Sequence, residues 1–282
     1  MKIGIVILIL TLLSAVVLAA DKSVTHSKEQ EFPADYQEVD IDPKSGQDIQ
    51  KYAEDDQEGA QKNFGLQFVH DNEIFAVFRG DRLEYQTAEG DEKLLWDLQA
   101  WAGSDYNKLW FKSEGTWLID PETFEEAETE LFFSRNIAKF WDLQTGVRHD
   151  FKPDPDRTFA ALGFEGLAPY WFEIEATGYV SEDGDISAGF EAEYDLLLSQ
   201  RLILQPRFET RIALQEVEKY GVGHGINDVE LGARLRYEIR REFAPYVGVS
   251  WSRKIGETKD FAQEEGEDTD VISFVAGLRV WF

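Results

Sequence analysis

The chain has no cysteine, a single methionine at position 1, four histidines and eight prolines in 282 residues. Without cysteine there are no disulfides, no thiolate metal centres and no lipid-bearing anchor. Without methionine beyond Met1, soft ligands for Cu(I) are missing from the mature chain. Basic residues are also scarce, 28 against 55 acidic ones, and the formal net charge of -27 argues against nucleic acid as a partner and for cations. After the first residues no apolar run approaches the ~20 residues that a membrane-spanning helix needs. Any crossing of a membrane must therefore be made by strands.

Lys2, the apolar run Ile3–Leu13, small residues up to Ala20 and a polar stretch from Asp21 read together as an export signal over residues 1–20. Cleavage after Ala19 and cleavage after Ala20 both fit. The next segment, residues 21–71, carries 13 acidic and 5 basic residues with few apolar ones. Such a composition buries too little surface to offset the entropy of ordering, so a disordered acidic periplasmic arm is expected.

From residue 72 to the end the pattern changes to alternation. In the final twelve residues Ile272, Phe274, Ala276, Leu278, Val280 and Phe282 share one face, while Val271, Ser273, Val275, Gly277, Arg279 and Trp281 share the other. Successive side chains of a strand point to opposite faces, so one face suits hydrocarbon and the other a wet interior. The run Asp228–Arg240 alternates without exception, with Val229, Leu231, Ala233, Leu235, Tyr237 and Ile239 opposite every charged residue. About twelve such runs recur between turn signals, which predicts an all-β, antiparallel, up-and-down transmembrane β-barrel over residues 72–282. The first run is irregular, because Arg79 and Asp81 share parity with Leu83 and Tyr85, and a bulge near Gly80 repairs it. The strands of a soluble β-sandwich alternate too, and that fold is the other reading of the pattern.

Loop lengths fit a barrel with both ends in the periplasm. Short inner turns are expected at Gly103–Asp105, Gly166–Pro169, Leu198–Gln200 and Arg241–Glu242, and longer outer loops at Lys152–Asp156, Glu218–Gly225 and the acidic Gly256–Thr269. Since an arginine facing the bilayer midplane costs about 2–4 kcal/mol, Leu235→Arg should impair insertion, and Arg234→Leu, on the opposite face, should insert normally.

The candidate metal ligands are imidazoles and carboxylates, a set that suits Cu(II) and other divalent ions. His149 adjoins Asp150, His224 lies in a glycine-rich outer loop, and His70 stands before the first strand. Each also reads as an ordinary solvated histidine. The inward carboxylates Glu173, Glu175, Glu191, Glu193 and Asp195 suit a cation path, since polar rings set pore selectivity. They equally suit a filled lumen in which Arg201, Arg207, Arg211, Arg234 and Arg236 neutralise them. Within residues 72–282 no serine stands beside a histidine, and His149 and Asp150 point to opposite faces of one strand, so no enzymatic activity is expected.

Long stretches resemble the outer-membrane copper resistance protein B family. They are Asp81–Tyr85, Trp101 with Asp105–Trp110, Phe140–Asp150, Gly166–Phe172, Glu193–Leu198, Arg201–Pro206, Arg236–Tyr246 and Gly277–Phe282. The resemblance covers residues from about 70 to the end and implies a twelve-strand barrel in the cell outer membrane, in contact with its lipid. It also implies copper ions as the bound or exported species and a periplasmic copper-handling protein as partner. Members usually carry a Met- and His-rich segment before the barrel, whereas residues 21–71 here offer only His26 and His70. Two other functions fit the same pattern, a cation-selective or general small-solute pore and a structural barrel that moves nothing.

Overall fold

The computed structural model describes residues 74–88 and 91–282. The signal segment, the acidic arm and His70 lie outside the described residues. Thirteen strand segments follow one another: β1 (Phe75–Ala88), β2 (Asp91–Gly103), β3 (Asn107–Leu118), β4 (Thr123–Ala138), β5 (Trp141–Lys152), β6 (Arg157–Ala168), β7 (Phe172–Ser181), β8 (Ile186–Glu193), β9 (Leu196–Leu197), β10 (Leu202–Ala213), β11 (Gly225–Tyr237), β12 (Phe243–Lys254) and β13 (Asp270–Trp281). All pairings are antiparallel, and β13 pairs with β1 to close the sheet. β8 and β9 occupy one position beside β10, so the barrel has twelve strands. Closure leaves the sheet without a free first or last strand, which a membrane demands.

The seam runs from Thr87 opposite Phe274 to Arg79 opposite Trp281 and continues to the last residue. Phe282 and Phe78 exchange backbone hydrogen bonds of 2.9 and 3.0 Å. The bulge expected near Gly80 is present: the pairings of β1 shift register beyond Gly80, with Arg82 opposite Asp97 and Leu83 opposite Leu278. Arg79 and Arg82 thereby both reach lumen partners, Gln99 and Asp97.

One pairing is incomplete. Tyr194 donates its N–H to the Pro206 carbonyl at 3.2 Å, but Pro206 has no N–H to return. Regular pairing stops there, and β9 resumes only at Leu196.

The outward faces follow the alternation. Leu231, Leu235, Val247, Ile272, Phe274 (67% exposed) and Leu278 are exposed apolar side chains, as expected of a wall that meets lipid. Aromatics gather at both rims. Phe140, Tyr170, Trp171, Phe172 and Phe282 lie exposed at the end that holds the short turns, and Trp96 and Trp117 both pack on Phe124 at the other, with centroids 5.8 and 4.5 Å apart. These are the girdles of an outer-membrane barrel. No helix of the described residues is long and apolar enough to cross a membrane, and the protein resides in the outer membrane through its strands.

Two sequence expectations need correction. The outer segment Gly256–Thr269 is not a plain loop, because Gly256–Glu265 forms a helix, α1, closed by Gly266 in the left-handed conformation (φ 80°). It docks on the preceding loop: His224 donates its N–H to Glu257 Oε2 at 3.0 Å, and Gly223 donates to Thr258 Oγ1 at 2.8 Å. A ten-residue helix with one buried side chain, Ala262, has too weak an apolar stripe to be seen in sequence. Nor is the interior uniformly wet. Trp110, Phe132 (0% exposed) and Ala161 form an apolar cluster with Trp101 and Tyr179 on inward positions. Gly146 makes this possible, since a Cβ there would stand 2.7 Å from Phe132 Cδ1.

Leu235→Arg is expected to shift the folding equilibrium into lipid vesicles by about 2–4 kcal/mol against insertion, measured as the loss of the heat-modifiable band of the folded barrel. Normal insertion of that variant would contradict a lipid-facing Leu235.

Candidate cation path

Strand register creates a feature that no single strand contains. Asp97, Glu114, Glu128 and Asp150 stand directly opposite one another across β2, β3, β4 and β5. Glu165, Glu175, Glu191, Glu209 and Glu230 do the same across β6, β7, β8, β10 and β11. Like charges directly opposed on a sheet repel, so both rows need counter-cations.

Five basic side chains supply them. Arg82 reaches Asp97 at 3.2 Å and also pairs with Glu114. Arg148 takes Glu128 at 2.5 Å and Asp150 at 2.6 Å. Lys112 extends from β3 to Glu175 at 2.6 Å and Glu165 at 3.5 Å. Arg207 grips Glu191 with two nitrogens at 2.7 and 2.6 Å while touching Glu209 at 3.1 Å and Glu193 at 3.2 Å. Arg234 lies 3.9 Å from Glu230, which also accepts from Ser250 at 2.7 Å. The nine carboxylates thus share five cations.

Several contacts cross the lumen. Arg211 of β10 meets Glu126 of β4 at 3.2 Å, and Tyr179 of β7 donates to Glu130 of β4 at 2.9 Å. Arg234 holds Glu84 at 2.8 and 3.1 Å with both side chains almost wholly enclosed. Above this network, toward the long loops, opens a cavity of about 700 Å³. Its lining includes eighteen carboxylates and nine basic groups, reaching down to Arg82, Lys112, Glu175 and Glu191. None of Glu173, Glu193, Asp195, Arg79 or Trp110 lines it. It is therefore a vestibule that ends on the ion-pair layer.

The residues singled out from sequence are dispersed. Glu175 and Glu191 belong to the second row. Glu193 and Asp195 lie nearer the short-turn end, Glu193 accepting from Gln205 at 2.8 Å and Asp195 from Arg236 at 2.7 Å. Glu173 stands opposite Glu193 at the start of β7. Asp150 faces inward onto Arg148. His149 faces the other way, its Nδ1 2.9 Å from Thr158 Oγ1 and its ring edge-on to Phe151. His224 is exposed in the loop before β11. Among the described residues no three histidine, aspartate or glutamate side chains gather in a way that would hold a metal ion. Of the arginines expected to pair inside, Arg207, Arg211, Arg234 and Arg236 do so. Glu114, Glu128, Glu165, Lys112 and Arg82 were not singled out, and alternation within their own strands was the signal that would have found them.

The family follows from comparison of the whole barrel. A family model described as copper resistance protein B precursor (CopB) matches residues 74–282. The chain belongs to the copper resistance protein B family. Copper resistance protein B of Escherichia coli is 42% identical over 270 residues, covering 96% of this chain and 88% of that protein. A copper resistance protein B homolog of Pseudomonas syringae pv. tomato is 42% identical over 214 residues, covering 76% of this chain and 72% of its own length. A solved NanC porin structure aligns with 73% of this chain and 99% of its own, at 11% identity and a TM-score of 0.49. This member of the copper resistance protein B family is a closed twelve-strand barrel with an acidic vestibule over a layer of ion pairs.

Facing alone predicted that Arg234→Leu inserts normally, but the enclosed pair with Glu84 adds a cost. Removing one partner of a buried pair leaves an uncompensated charge worth about 3–5 kcal/mol. Arg234→Leu should therefore insert yet lower the urea midpoint of the refolded barrel, and Glu84→Leu added to it should restore much of the loss. Equal stability of wild type and Arg234→Leu would count against this pairing.

Proposed function

We propose that this chain serves copper resistance as an outer-membrane barrel that binds copper ions in its acidic lumen and assists their export from the periplasm. The observation that carries this reading is the vestibule in which carboxylates outnumber basic groups by two to one, in a chain of the copper resistance protein B family. Low-dielectric walls lined by one sign of charge focus the field and concentrate the counter-ion. The vestibule offers carboxylates with no imidazole among its lining residues, a set that holds divalent ions weakly and exchangeably, and the ion is cargo, so no bond-making step and no catalytic residue enters the reading. A periplasmic copper-handling protein is the natural supplier of ions to the short-turn end.

A second reading, a structural barrel with a filled lumen, is favoured by the ion-pair layer and by the Trp110–Phe132 cluster. A cation-selective pore is the third. Copper sensitivity of a deletion strain, with and without the plasmid-borne chain, tests the first: complementation is expected, together with saturable copper binding by the folded barrel above that of an unrelated acidic barrel. Unchanged sensitivity on deletion and no such binding would overturn it. Conductance in planar bilayers separates the other two, since a stable open state is expected only of a pore.

A further inference from the structure

The two rows of carboxylates are not held alike. Arginine forks clamp the first row and the far part of the second, with Arg148 making two bonds to Asp150 and Arg207 two to Glu191. Glu165 and Glu175 instead depend on a lysine. Lys112 is a point charge on a four-carbon stem, without a fork to fix it. Its Nζ lies 2.6 Å from Glu175, 3.5 Å from Glu165, and 5.7 and 5.6 Å from the ring centroids of Trp110 and Phe132. An ammonium that leaves the carboxylates keeps a favourable resting place over those aromatic faces. Four residues earlier on β3 the arrangement repeats, with Lys108 at 2.9 Å from Asp142 and 5.5 Å from the Trp101 centroid. Asp142 is directly opposite Glu165, so the two lysines guard consecutive places along one acidic track.

Uncharged groups beside Glu165 and Glu175 also point to an absent ligand. Gln144, 1% exposed, donates Nε2 to Glu165 at 2.5 Å and leaves Oε1 without a partner. Thr177, 3% exposed and two residues along β7 from Glu175, leaves Oγ1 without one. Both are oxygen donors of the kind that complete the shell of a hard or intermediate divalent cation.

We propose that Glu165 and Glu175, with Gln144 and Thr177 beside them, form an exchangeable site for a divalent cation just beneath the vestibule, whose lining includes Lys112, Glu175 and Thr177, and that Lys112 is the resident counter-cation the metal displaces. Glu165 and Glu175 already converge on one point, the Lys112 ammonium, at 3.5 and 2.6 Å. Displacement moves the ammonium over Trp110 and Phe132, leaving two carboxylates and two neutral oxygens to the metal. This deepens the reading of the lumen as a cation path and does not depend on copper being the cation carried.

Mn²⁺ serves as the probe, with full-length barrel refolded in detergent and ionic strength held constant with tetramethylammonium chloride. Lys112→Gln should bind Mn²⁺ at least tenfold more tightly than wild type and should pass K⁺ in preference to Cl⁻ in planar bilayers. Lys112→Arg, whose fork fixes the carboxylates, should behave as the wild type or bind more weakly. A folded Lys112→Gln barrel with wild-type Mn²⁺ affinity would overturn the proposal, as would one that conducts without preferring cations. The wild-type protein gives a measurement independent of the variants: saturating Mn²⁺ should raise amine labelling of Lys112 several-fold by peptide mass spectrometry, and unchanged labelling would refute displacement. Because no arm uses copper or a copper-stressed cell, failure here leaves the copper-resistance reading standing, and failure of that reading leaves the site standing.

Discussion

The neutralisation of opposed carboxylates by a few long basic side chains is the interaction on which the interior depends. Antiparallel register sets Glu165, Glu175, Glu191, Glu209 and Glu230 side by side, a repulsive arrangement by itself. Arg207 is the hub that makes it tolerable, because its guanidinium offers enough donors to reach Glu191, Glu193 and Glu209 at once. Wall and lumen are thereby coupled. The hydrogen-bonded ladder fixes which acids face each other, and the basic groups decide whether that ladder can close around them.

Membrane and lumen impose opposite demands on every strand, and alternation meets both. The outward face must be apolar because lipid offers no hydrogen bonds. The inward face must be polar yet filled, and here it is filled unevenly. β2, β3, β4, β6 and β7 contribute the aromatic cluster, while the guanidiniums come from β10 and β11 and from Arg82 of β1 and Arg148 of β5, so apolar and charged fillings interleave. Lys112 of β3 touches both kinds of filling, its ammonium beside Glu175 and over the Trp110 and Phe132 rings.

Much of the wall was legible in sequence. Alternation in Asp228–Arg240 assigned both faces of β11, and the parity clash at Arg79 and Asp81 located the bulge of β1. What alternation could not supply is relative register, since the period of two is blind to how far one strand slides along its neighbour. The carboxylate rows were hidden for that reason, although each member has inward parity in its own strand. Trp101, Trp110 and Phe132 were hidden differently: an aromatic residue in a barrel strand reads as a girdle residue until its parity is compared with that of its neighbours. The helix Gly256–Glu265 lacked a clear apolar stripe, and only its docking on Gly223 and His224 gives it a place.

The missing N–H of Pro206 makes the cylinder mechanically uneven. A closed sheet bears deformation as a hoop does, through its weakest junction. Here that junction lies between Tyr194 and β10, just where Glu193 and Asp195 meet the arginines of the adjoining strands. Thermal breathing will therefore be directional, opening first at this junction near the short-turn end.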